Sequence, residues 1–94
     1  MTMDECNDQQ IRKIILAEYY KREKGVSKNP EMHIYNFPEL KKIDNEKIFQ
    51  NTKYLMDENL VRGGIDEEGD HAFPWITKLT SMGIEWIEKE QSKA

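Results

Sequence analysis

Apolar positions along the chain change period three times, and each change marks a different element. From Asp8 to Lys24, Ile11, Ile14, Ile15, Leu16, Tyr19 and Tyr20 recur at helical spacing. They sweep more than half of the helix circumference, wider than a one-sided surface helix needs. This predicts a helix from about residue 4 or 8 to Lys24, either central to the core or partly covered by another chain. Thr2 with Glu5 fits a capping box, Asp8 is a second candidate cap, and Gly25 supplies the stop. A second helical stripe, Ile48, Thr52, Leu55 and Met56 with Phe49 on its flank, predicts a helix over roughly 45–59 with Asp44 as cap. Between the two, residues 26–32 read as loop. His33-Ile34-Tyr35 reads as a short edge strand, and Pro38 opens a short helix over PELKKI.

The last third has the period of a hairpin. Leu60 to Ile65 and His71 to Leu79 form two arms around the tip Asp66-Glu67-Glu68-Gly69-Asp70. Pro74 cannot donate to a ladder, so an unpaired or bulged point is expected there, and Gly63-Gly64 reads as a flexible or bulged strand end. Thr80 then caps a final helix whose core residues are Ile84 and Ile87. Ile15, Ile48, Leu55, Leu60, Leu79, Ile84 and Ile87 are expected to share one interior. The surplus apolar side chains Leu16, Tyr20 and Trp86 admit two readings: Trp86 covers the first helix within one chain, or the three form a homodimer seam.

The chain has 94 residues, which suits one domain over 1–94. With 37% hydrophobic and 34% charged residues, the composition is that of a globular protein rather than a disordered one. No apolar run approaches the roughly 20 residues a membrane helix needs. The acidic opening MTMDECNDQQ does not resemble a signal peptide, and the single cysteine, Cys6, cannot form an internal disulfide. A reduced cytoplasmic protein is the simplest expectation.

The order helix, short strand, short helix, capped helix, hairpin, helix resembles that of a winged helix-turn-helix domain: α+β, with three helices, a small antiparallel wing and a C-terminal helix. YLMDENLVRGG is similar to the family's passage from recognition helix to wing. LTSMGIEWIEKE is similar to its LTPKGxxxLE entry into the last helix, with Ser81 where Pro is frequent and Met82 where Lys is frequent. The length and the opening IRKIILAEYYK also resemble small bacterial and phage winged-helix proteins of the YjcQ type. The resemblance covers roughly residues 8–90.

That resemblance implies a double-stranded DNA partner, met by a transcriptional regulator whose third helix reads the major groove. Lys47, Gln50, Asn51 and Tyr54 are then the base-reading candidates, because Gln and Asn pair bidentately with adenine and Lys donates to guanine or phosphate. Lys41, Lys42, Lys53 and Arg62 are the phosphate candidates. Residues 12–28 and 41–54 each carry an excess of Lys and Arg, and a basic surface forms if they converge. The net charge of −4 and the wing acids Asp66, Glu67, Glu68 and Asp70 oppose phosphate. A winged helix that binds a protein and not DNA is therefore the alternative.

No catalytic triad, phosphate-binding glycine loop or spaced carboxylate pair is present, so no enzyme and no cofactor is expected. The acidic run lacks the spaced oxygen ligands of a calcium loop. His33, His71 and Cys6 are not expected to share a metal, since the two histidines would lie on the order of 25 Å apart along the return arm.

Overall fold

In the computed structural model, residues 7–92 are described. The order is α1 (Asp8–Lys24), two 3-10 turns (Ile34–Asn36 and Pro38–Leu40), α2 (Asn45–Asp57), β1 (Val61–Glu68), β2 (His71–Leu79) and α3 (Ser81–Ser92). The two strands form one antiparallel sheet. This is an α+β winged-helix-turn-helix-like topology. The proposed Thr2–Glu5 box and Cys6 lie outside the described residues.

Asn7, rather than Asp8, caps α1. Its side chain accepts from the Gln10 N–H at 2.8 Å, and the Gln10 side chain accepts from the Asn7 N–H at 3.1 Å. At the other end Gly25, at φ 76°, donates to Arg22 O while Val26 donates to Lys21 O. These paired bonds satisfy carbonyls that the last turn would otherwise orphan. The same device ends α2, where Asn59, at φ 62°, takes the left-handed position and Leu60 donates to Leu55 O. Helix α2 thus stops two residues before the expected 59. Asp44 holds its cap position without a side-chain hydrogen bond.

The width of the α1 stripe is explained by a central position. Ile11, Ile15, Leu16 and Tyr19 are buried in one cluster with Ile34, Phe37, Leu40, Ile48, Leu55, Val61, Ile76, Leu79 and Ile87. Of the expected core, Leu60 and Ile84 are only partly buried. The PELKKI helix is reduced to the turn Pro38–Leu40.

His33-Ile34-Tyr35 is not a strand. Ile34–Asn36 is a 3-10 turn, and two side chains do the work a third strand would do. The His33 Nε2 lies 3.0 Å from Pro74 O, and the Tyr35 hydroxyl donates to Ala72 O at 2.8 Å. Both carbonyls therefore point away from β1, at positions that make no ladder bond to it. That orientation also explains why Pro74 produces no bulge: its missing N–H would face outward, and it pairs in register with Ile65. The irregularity lies instead between Arg62 and Gly63, where Thr77 is the extra residue on β2 and its hydroxyl donates to Arg62 O. A Cβ on Gly63 would fall on Trp75 O, so only glycine fits this approach.

Strand β1 runs through Asp66, Glu67 and Glu68, leaving Gly69-Asp70 as a two-residue turn. Gly69, at φ 60°, fits the first central position of a type II′ turn. Thr80 joins the hairpin to α3. Its hydroxyl accepts from Gly83 N–H and donates to Asn59 O, while its N–H donates to Leu60 O.

Candidate interaction face

Helix α2 and the wing frame one face of the molecule. Lys47, Gln50 and Lys53 are exposed on α2, and Lys41 and Lys42 are exposed on the turn before it. Tyr54 is 39% exposed, with the Arg12 guanidinium stacked 3.5 Å from its ring centroid. Lys53 pairs with Asp57 at 3.0 Å. Arg62 is exposed at the base of the wing.

Asn51 is corrected from a base-reading candidate to a buried structural residue, only 3% exposed. Its Oδ1 accepts from Arg12 Nε at 2.8 Å, and its Nδ2 donates to Asp8 Oδ1 at 3.1 Å and to Lys47 O at 2.9 Å. The amide is consumed in tying α2 to α1. Arg12, one of the cations in the first basic segment, is consumed with it.

The end of α2 that a groove-reading helix would insert is acidic. Asp8, Asp44 and Glu46 line a shallow hollow there with Lys47 and Gln50. A second hollow, of about 380 Å³, lies between this end of α2 and the wing. Tyr35, Phe49 and Phe73 supply its aromatic surface, and Glu46, Asp70 and His71 also line it. The Tyr35 and Phe73 rings are held by mutual contact. Tyr35 and Phe73 lie 6.1 Å apart between centroids, and His33 packs edge-on to both at 4.8 and 6.2 Å. Burial raises the Tyr35 phenol above its ordinary value, so its hydroxyl stays a donor to Ala72 O.

His33 and His71 both pack against Phe73, each 6.2 Å from its ring. They are thus much closer than the separation of about 25 Å expected from an edge strand. Among the described residues no group of three or more His, Cys, Asp or Glu could hold a metal ion. No helix among them is long and apolar enough to cross a membrane.

Leu16, Tyr20 and Trp86, read either as intrachain packing or as a dimer seam, all make contacts within the chain. Leu16 is fully buried, and the Tyr20 hydroxyl donates to Glu88 Oε2 at 2.8 Å across α1 and α3. Trp86 is partly buried against the core. Leu16 is accordingly withdrawn from any interface. Two signals were missed. The Phe49–Phe73–Tyr35 hollow joins residues from three separate segments, and no local period brings them together. The exposure of Trp75, 43%, follows from the wing's outer face, where its ring lies over Gly64.

Comparison with protein-family models, with curated proteins and with solved structures finds no match to this chain, so the winged-helix assignment rests on its fold.

Proposed function

We propose that this domain is a protein-interaction winged helix, acting by binding and not by catalysis. Its α2–wing face receives a basic side chain from a partner protein. The supporting observation is the hollow between α2 and the wing, which Tyr35, Phe49 and Phe73 line together with Glu46 and Asp70. Aromatic faces and carboxylates both attract a guanidinium or ammonium group, and both are poor neighbours for phosphate.

The test uses a short labelled arginine-rich peptide and fluorescence anisotropy. The native domain should bind it, and Glu46→Lys with Asp70→Lys should weaken binding at least about tenfold, the scale of 1.4 kcal/mol. A control with the same charge change elsewhere, Glu58→Lys with Glu85→Lys, should retain most of the affinity. No binding by the native domain, or equal losses in both variants, would defeat the proposal.

A second reading, a DNA-binding transcriptional regulator, is favoured by the exposure of Lys41, Lys42, Lys47, Gln50 and Lys53 on and before α2. In that case the wing acids act as a brake. Replacing Glu67 and Glu68 with Lys would then steepen the log–log salt dependence by about 2 units if both new cations reach phosphate.

A further inference from the structure

The wing has one covered edge and one open edge. The outer edge of β2 is occupied by the turn before α2, through His33 at Pro74 O and Tyr35 at Ala72 O. In an antiparallel ladder, the residues paired with Pro74 and Ala72 must also turn their backbone groups outward. Those residues are Ile65 and Glu67. Their N–H and C=O groups therefore line the free edge of β1, and no other strand pairs with it among the described residues. An open edge is a template for another strand.

Edges are commonly guarded by charge, but here the charges are sorted by position. Arg62 and its cross-strand neighbour Lys78 stand at the base of the wing, while Asp66, Glu67, Glu68 and Asp70 stand toward the tip. The centre, Gly63-Gly64-Ile65, is uncharged and includes two residues without side chains. The hairpin thus has a cationic base and an anionic tip.

We propose that β1 pairs antiparallel with β1 of a second copy of this chain, joining two wings into a four-stranded sheet. Antiparallel pairing sets each tip against the other base. With Ile65 opposite Ile65 of the second copy, Arg62 faces Glu68, Gly63 faces Glu67 and Gly64 faces Asp66. Arg62, Gly64, Asp66 and Glu68 alternate onto one side of the sheet, so the Arg62–Glu68 contact forms twice on a shared face. No carboxylate in this register sits directly opposite another. The occupant is a copy of the chain because the same eight residues carry both halves of the complementarity.

Sedimentation equilibrium over a wide concentration range reads this directly. The native chain should approach twice the monomer mass at high concentration, and added salt should weaken the association. Arg62→Glu and Glu68→Arg should each weaken it about tenfold, because two cross-strand pairs turn from attraction to repulsion. The combined charge swap should restore association to near the native level. Ile65→Pro, which removes an outward N–H, should abolish it, with circular dichroism verifying that each variant is folded. A native chain that stays monomeric at the highest concentration, or a double variant no better than the single ones, would overturn the pairing. The peptide-binding hollow is lined by β2 residues His71, Ala72 and Phe73 rather than by the free edge of β1, so the two tests are read separately.

Discussion

At Asn51 a polar side chain does structural work on a helix expected to face a ligand. Its three hydrogen bonds reach Arg12, Asp8 and the Lys47 carbonyl. Truncation to alanine would leave the half-buried Arg12 group without its acceptor, while the exposed Asp8 carboxylate turns to water. We expect Asn51→Ala to lower unfolding free energy by about 2 kcal/mol, read from the midpoint of urea unfolding. A loss below a few tenths of a kcal/mol would mean that water replaces these contacts. The tyrosines make a separate prediction. Burial raises the phenols of Tyr19 and Tyr35 above 10.0. The folded state then holds those protons more tightly than the unfolded chain does. This stabilisation is fully present below pH 10 and is lost as pH rises through the folded values. Unfolding midpoints should therefore fall beyond pH 10, and absorbance titration should show a late-ionising set of tyrosines that normalises on unfolding. Ionisation of every tyrosine at its ordinary value would contradict this.

Between elements, α3 makes a close backbone approach to Leu60, the residue that links α2 to β1. A Cβ on Gly83 would fall on the backbone oxygen of Leu60, and backbone cannot swing aside as a side chain can. Gly83→Ala should cost about 2–3 kcal/mol, detectable as a lowered melting temperature. Thr80→Ala, which loses the bond from Gly83 N–H, should cost about 1–2 kcal/mol in the same assay. An unchanged melting temperature in the glycine variant would show that α3 can slide away from Leu60. The helices α1, α2 and α3 and both wing strands were legible because each has its own apolar period and a punctuating residue, such as Gly25, Asp44 or Thr80. The turn at Ile34–Asn36 was not. Its extended-looking wording gives no sign that His33 and Tyr35 would reach across to β2 carbonyls forty residues away. For the same reason Asn51 could not be placed. The helical period sets it beside Ile48, but only the docking of Arg12 and Asp8 decides whether that flank is covered.

Across the whole molecule, the winged-helix-like topology and the charge distribution point in opposite directions as to DNA. The fold provides a helix and a wing on one face, yet acid stands at the end of that helix in Asp8, Asp44 and Glu46 and at the wing in Asp66, Glu67, Glu68 and Asp70. Lys53 is paired with Asp57, and Arg12 is committed to Asn51 and Tyr54. Residue types alone made Lys47, Gln50 and Tyr54 readers of bases; Asp44 and Glu46 stand at the same helix end in the sequence, and only the fold brings Asp8 of α1 beside them. A gel shift with random duplex DNA at salt concentrations from about 50 to 200 mM tests the protein-binding reading most directly, since electrostatic affinity for phosphate is greatest at the low end. The native domain should leave the duplex unshifted throughout that range. A shift at low salt that weakens with added salt and is reduced by Lys47→Ala would contradict it and establish α2 as a DNA-contacting helix.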